Sequence, residues 1–253
     1  MLNAENVTKI YRTKNSRQKA VDDVSIMIAD DSVTVIVGES GSGKSTLARM
    51  LSYIERPDSG RILLGETELT AQKAKEYRRC VQLVMQDAAS SLDPHQTAGQ
   101  VLDEPLTLLL KMGKLQRQRR ISELTDMVHF PRDRLKSKVS ELSGGQLKRL
   151  CIARALAAEP QYIIFDESFS GLDVTLRQQI LSMLKELQKK LHIGFLIITH
   201  DLDTAMYMAD RIYVMRFGKI IETLEHPSSF LDFKEDYSKE LVRAAEYKRQ
   251  LQK

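Results

Sequence analysis

"SVTVIVGESGSGKST", residues 32–46, decides the fold. Its opening, Ser32–Val37, is mostly β-branched and apolar, so it is predicted as a buried strand feeding a tight turn. Gly38–Thr46 then fits G-x-x-x-x-G-K-[ST], and Lys44–Leu51 has the character of a helix. A strand, a glycine-rich turn and a helix in that order make a cradle for phosphate. Gly38, Gly41 and Gly43 lack Cβ atoms, so the backbone can bend sharply and aim several N–H groups at one anion. The helix start adds orphan N–H groups and roughly half a positive charge. The candidate loop is Gly38, Glu39, Ser40, Gly41, Ser42, Gly43, Lys44, Ser45 and Thr46. Within it, Lys44 is expected to reach the β- and γ-phosphates and the Ser45 hydroxyl to ligate Mg²⁺.

Working outward, "YIIFDE" sets Asp166 and Glu167 at the end of an apolar strand. Functional groups gather at the carboxyl ends of strands in parallel sheets. Asp166 is placed to hold the Mg²⁺ shell. Glu167 leaves the chain in a different direction, which suits a general base for an attacking water. "FLIITH" ends on His200, which either contacts the γ-phosphate and positions that water or is a satisfied structural histidine. Gln86 ends "CVQLVM", and its amide either reaches Mg²⁺ and the water or is a polar strand end. Four such strand ends would converge on one rim of one sheet.

The flanking chain supplies the other elements. Residues 2–11 and 19–28 are predicted strands, and another is predicted near 79–85. From Asp87 to about Glu141 the pattern turns helical with little β-branching. Thr175–Leu191 is a long amphipathic helix. "RIYVMRFGKIIETL" has the form of a hairpin turning near Phe217–Gly218, and Tyr237–Gln252 a charged terminal helix. "ELSGGQLKRL", residues 141–150, raises a separate question. Ser143 suits an N-cap, Gly144 and Gly145 allow close approach, and a helix follows to about Ala158, before Pro160. It is a second anion-ready helix start. It serves a second phosphate site, or a nucleotide held by another subunit, or it is an ordinary cap.

Composition narrows the class. The 253 residues carry 38 Lys and Arg against 34 Asp and Glu, a net charge of +4, with 42% hydrophobic residues. That suits a globular protein with an anionic ligand. The basic run "KMGKLQRQRR" has no aromatics for stacking on bases, so it is read as a solvated helix face and no nucleic-acid partner is expected. Two cysteines, Cys80 and Cys151, form neither a disulfide framework nor a metal set. The first residues lack the apolar core of an export signal. No apolar run reaches the ~18 residues of a membrane span.

The order "GESGSGKST", Gln86, "LSGGQ", "YIIFDE", "SGLD" and "ITHD" resembles the nucleotide-binding subunits of ABC transporters over nearly the whole chain. That resemblance implies an ATP- and Mg²⁺-dependent ATPase of α/β class. It has a P-loop NTPase core with a mostly parallel sheet, an antiparallel β subdomain and an inserted α-helical subdomain. On this reading 1–253 is one cassette. Residues 1–86 and 160–235 form the nucleotide-binding core, 87–159 the helical subdomain with the signature, and 236–253 a C-terminal helix. In that family two cassettes pair head to tail. By resemblance, Ser143, Gly144, Gly145 and Gln146 then contact the partner's γ-phosphate, and Asp173 sits in a loop that crosses the interface. Tyr11 matches the aromatic that stacks on adenine, where its own context suggests only strand-edge packing. The family's Mg²⁺ shell corresponds to Ser45, Gln86 and Asp166, and its catalytic groups to Glu167, His200 and Lys44. "DESFSGLD" departs from the usual pattern, with Ser168 in place of Pro and Gly171 in place of Ala, which predicts a looser loop.

"QDAASSLDPHQTAGQVLDEPL", residues 86–106, resembles the oligopeptide, dipeptide and nickel importer branch. The implied partners are a second ATPase subunit, identical or different, two membrane permease subunits and, indirectly, an extracytoplasmic solute-binding protein. The implied location is the cytoplasmic face of the cell membrane. No cysteine-rich extension is present, so no iron–sulfur cluster is expected. A soluble ABC ATPase without a transporter is the alternative, and a non-hydrolysing regulatory cassette a third reading.

Overall fold

A computed structural model of the protein describes residues 1–12, 17–87 and 90–251. Ala88 and Ala89, inside the predicted helical insertion, and Gln252 and Lys253, at the end of the predicted terminal helix, lie outside them. The chain opens with β1 (Leu2–Arg12) and β2 (Arg17–Ile28), then β3 (Val33–Val37) and α1 (Lys44–Leu51). Next come β4 (Ser59–Leu64), the short β5 (Thr67–Glu68), α2 (Ala74–Cys80) and β6 (Val81–Val84). Three helices follow: α3 (Ala98–Leu108), α4 (Lys114–Met127) and α5 (Gly144–Ala157). The chain then alternates β7 (Tyr162–Asp166), α6 (Val174–Leu191), β8 (Gly194–Thr199) and α7 (Leu202–Met208). It closes with β9 (Arg211–Arg216), β10 (Lys219–Glu225) and α8 (Asp236–Leu251).

Two sheets result. One is antiparallel, in the order β2-β1-β4-β5. The other runs β10-β9-β3-β8-β7-β6, parallel throughout except for the β9–β10 hairpin. Both faces of the parallel sheet are buried, as crossover helices require. Period-two alternation divides its side chains between two cores. Val35, Ile163, Phe165, Phe195, Ile197 and Val214 point into the core shared with the helices from α3 to α8. Ile36, Tyr162, Ile164, Leu196, Ile198 and Met215 point the other way, against α1 and the antiparallel sheet.

Four elements differ from the sequence-based expectation. β4 and β5 fall in a stretch with no predicted element. The strand predicted near 79–85 begins as the helix α2, because Tyr77 and Cys80 turn inward three residues apart, and becomes extended only at Val81. α7 starts directly after the strand–turn that carries His200, with Asp201 as its cap, accepting from the Asp203 N–H at 3.1 Å. The hairpin turn is at Phe217–Gly218, with positive φ at both residues, which matches the right-handed twist of the flanking strands.

Candidate functional site

The parallel order β3-β8-β7-β6 brings the carboxyl ends of four strands to one edge of the sheet. Those ends lead into Gly38, His200, Asp166–Glu167 and Gln86. The loop after β3 is held by its own packing. A Cβ on Gly38 would lie 2.2 Å from the Met215 carbonyl oxygen, and one on Gly43 would lie 2.1 Å from that of Ala20. Gly43 also takes φ 108, which an L side chain resists. The Gly218 N–H in the hairpin turn donates to the Ser42 carbonyl at 2.9 Å, bracing the loop from outside.

Lys44 opens α1 and is 3% exposed. Its ammonium donates to the carbonyls of Gly38 at 2.8 Å and Glu39 at 2.7 Å, with the Ser42 hydroxyl at 3.4 Å. Burial pulls its pKa down, opposed by the nearby charges of Glu167, Asp166 and Glu39. The Ser45 hydroxyl donates to Asp166 Oδ1 at 2.8 Å. Burial pushes the Asp166 carboxyl up, the Ser45 hydrogen bond opposes this, and the charge of Glu167 adds to it.

Glu167 sits between two basic groups. Its Oε1 is 3.9 Å from Lys44 Nζ and its Oε2 is 3.5 Å from His200 Nδ1. Its backbone has φ 45, the left-handed region, and its N–H donates to the Ile198 carbonyl at 3.0 Å. A non-glycine residue held there costs of order 1 kcal/mol, and such strain collects at functional sites. A cavity of about 650 Å³ opens here, lined by Gly38, Glu39, Ser40, Glu167, Arg177, His200, Asp201, Leu202, Asp203, Leu241, Ala244 and Ala245.

Gln86 is exposed, and its amide donates to the Ser170 hydroxyl at 3.3 Å, which in turn donates to the Glu167 carbonyl at 2.7 Å. Ser168, where a proline was the usual residue, is buried and donates to the Val84 carbonyl at 2.6 Å. The loop predicted to be looser is thus tied to the end of β6 by a hydroxyl that proline cannot supply. Gly171 does take a positive φ of 77, as its freedom allows. Lys148, from α5, reaches the same strand end, donating to the Met85 and Gln86 carbonyls at 3.2 and 3.3 Å.

Tyr11 lies on β1, on a cavity it shares with Lys9, Ile10, Arg12, Glu55 and Asp58. Its hydroxyl donates to Glu55 at 2.7 Å and accepts from Arg49 at 3.3 Å. The same Arg49 nitrogen reaches the Thr46 hydroxyl at 3.4 Å, so Tyr11 is two contacts from the phosphate loop.

The remaining predicted residues form a separate group. Ser143 caps α5 in a reciprocal box with Gln146, the two contacts being 3.3 and 2.9 Å. Asp173 caps α6 by accepting from the Leu176 N–H at 2.8 Å. A Cβ on Gly145 would lie 3.0 Å from Leu176, so the two helix starts are packed side by side. Ser143, Gly144 and Asp173 are exposed. Among the described residues, no hydrogen bond or ion pair joins 143–146 to 38–46.

Sequence reasoning missed two contributors. Arg177 on α6 pairs with Asp201 at 3.0 Å, directly beside His200. Its position one turn after Asp173 is the available signal. Tyr237 on α8 touches the phosphate loop itself: its hydroxyl accepts from the Glu39 N–H at 3.0 Å. Nothing in the local pattern marks it, because the contact depends on where the terminal helix docks.

A phosphate loop, a buried lysine, an acidic pair after a strand and a histidine on the neighbouring strand end define a nucleoside-triphosphate hydrolase cassette. Residues 21–170 match the family model described as ABC transporter. A probable peptide ABC transporter ATP-binding protein, y4tS of Sinorhizobium fredii, is 38% identical, covering 97% of this chain and 72% of its own length. The nickel import ATP-binding protein NikE of Brucella suis is 36% identical, covering 91% of this chain and 93% of its own. Among solved structures, the dimeric ATP-binding cassette MJ0796 with ADP and Pi bound matches at TM-score 0.79 and 27% identity, over 90% of this chain and 99% of that one. Clostridium perfringens cbiO1, part of the cbiONQ transporter complex, matches at TM-score 0.81 and 27% identity, over 100% and 98%. The chain belongs to the ABC transporter ATPase family, and it is an ATP-binding, ATP-hydrolysing cassette.

Proposed function

We propose that this chain is the motor of a membrane importer for peptides, nickel or metal–chelator complexes, and that Glu167 is its general base. The observation that carries the catalytic reading is the seat of Glu167 between Lys44 and His200, at the rim where four strand ends meet. Lys44 binds the β- and γ-phosphates, exchanging its present carbonyl contacts in part for phosphate oxygens. The loop N–H groups hold the remaining charge. Glu167 takes a proton from water as that water attacks the γ-phosphorus. His200 orients the water and the γ-phosphate. Tyr11 stacks on adenine, beside the Arg49 that reaches Thr46.

A Mg²⁺ ion fits the oxygen donors present. The Ser45 hydroxyl and a partly buried Asp166, with no cation in hydrogen-bond contact among the described residues, are the hard ligands such an ion takes. Ser45, Asp166 through water, and the Gln86 amide would hold it, and it would supply neutralisation of phosphate charge.

The surface at 143–146 and 173 serves the nucleotide of a second cassette, identical or different, paired head to tail. Its exposure, and its separation from this chain's own loop, support that reading. MJ0796 is a dimer in its solved form, and cbiO1 is part of a transporter complex. Two permease subunits would complete the importer, one docking on this chain near 86–106, where a cavity lined by Val84, Met85, Glu104 and Pro105 lies between β6 and α3, with a solute-binding protein acting through them. No helix among the described residues is long and apolar enough to cross a membrane, so the cassette would attach to the cytoplasmic face through those permeases. The peptide and nickel importer names of the relatives support the cargo class.

The test is ATP turnover by the reconstituted transporter carrying Glu167→Gln. Turnover falls by about 10²-fold or more, with ATP binding retained, if Glu167 is the base. Turnover near that of the unsubstituted transporter rejects that role.

A further inference from the structure

The phosphate loop is held from behind by an element outside the matched family segment, which ends at residue 170. Tyr237, in the first turn of α8, is 4% exposed. Its hydroxyl accepts from the Glu39 N–H at 3.0 Å. The carbonyl of that same residue, with that of Gly38, holds the Lys44 ammonium. The Arg216 guanidinium lies over the Tyr237 ring, 4.3 Å from its centroid. Arg216 directly follows Met215, whose carbonyl packs against Gly38. The end of β9 therefore fixes Tyr237 and the start of the loop together. Leu241, Ala244 and Ala245 continue the same helix along the wall of the catalytic cavity.

We infer that Tyr237 is a positioning residue for ATP binding, acting through the Glu39 peptide to hold the carbonyls that aim Lys44. The inference rests on the reading of 38–46 as the ATP loop and adds a residue to it. An N–H that loses its acceptor in a partly buried place turns to find water or another carbonyl. The loop then samples other conformations before nucleotide arrives, and apparent affinity falls by the fraction of molecules left in the competent form. The chemical step is untouched, because Tyr237 contacts neither Glu167 nor His200 in any hydrogen bond among the described residues.

Tyr237→Phe tests this, since it keeps the ring over Arg216 and removes only the oxygen. The measurements are MgATP affinity of the full chain, melting temperature and amide exchange at Glu39. Affinity is expected to fall about five- to twenty-fold, the Glu39 amide to exchange faster, and the melting temperature to change little. Val242→Ala, which thins the core under the same helix, serves as the packing control. It lowers the melting temperature and leaves affinity as it was. Affinity and Glu39 exchange unchanged in Tyr237→Phe would overturn the proposal. So would an equal loss of affinity in Val242→Ala, which would make the effect one of helix docking. Lys44→Ala separates the two levels: if it binds MgATP as well as the unsubstituted chain, the reading of the loop fails, whatever Tyr237 does.

Discussion

Asp166 and Glu167 are adjacent carboxylates with different surroundings. Burial raises the Asp166 pKa above the ordinary 3.8, and the Ser45 hydrogen bond only partly offsets it. The folded state therefore binds that proton more tightly than the unfolded chain does. The stability linked to this group is complete below the unfolded pKa and is lost as pH rises through the folded one. At neutral pH the ionised carboxylate weighs against folding until a cation arrives. Asp166→Asn should accordingly melt higher than the unsubstituted chain at pH 7 without nucleotide. A gain of roughly 2–4 °C is expected, what about 1 kcal/mol is worth in a domain this size after screening of a partly exposed side chain. Thermal melts across pH check it. The gap should close as pH falls toward 3.8, and no gap at pH 7 would contradict the assignment of Asp166 as an under-compensated carboxylate.

At the scale of elements, the loop between β3 and α1 owes its shape to close backbone approach as much as to glycine freedom. Gly41 and Gly43 separate the two causes. Both have positive φ, 81 and 108, but a Cβ on Gly41 meets nothing within 4 Å and one on Gly43 meets the Ala20 carbonyl at 2.1 Å. Gly41→Ala should lose about 1 kcal/mol, the cost of the left-handed conformation alone. Gly43→Ala should lose more, about 2–4 kcal/mol, since backbone must also shift. Denaturant unfolding of both variants measures the difference, and equal losses would refute the close-approach argument. The same contrast explains what could be read from sequence. The strand, loop and helix at 32–51 were legible because three local signals agree there. The strand ends at Asp166 and His200 were legible because continuous apolar runs lead into them. β4 and β5 were not, since "SGRILLGETE" alternates weakly, β4 gains its partner from β1, more than fifty residues earlier in the chain, and the two-residue β5 pairs only with β4. The strand predicted near 79–85 overlaps the end of α2 at residues 79–80 because "RRCVQ" is short and mixed, and only the inward turn of Tyr77 and Cys80 settles it. Tyr237 was hidden for the same reason as β4: its partner, Glu39, is 198 residues away.

At the scale of the whole molecule, the chain presents two anion-ready helix starts that do not meet. One, at Lys44, lies at the rim with Glu167 and His200. The other, at Ser143, lies beside Asp173 on an exposed surface, its hydroxyl occupied by its own cap. On the proposed reading, the first would hold this chain's ATP and the second would cover the ATP of a paired cassette. Head-to-tail pairing of two cassettes would bring each Ser143 start over the other's loop, and closing the pair would move whatever is attached to each. The measurement that tests this most directly is the distance from Ser143 Oγ to the nearest γ-phosphate, in a structure of the transporter carrying Glu167→Gln with MgATP bound. The expected result is a contact of about 3 Å, to a nucleotide seated in the loop of the opposite cassette. A Ser143 hydroxyl left facing solvent, with both triphosphates fully enclosed by their own chains, would contradict it.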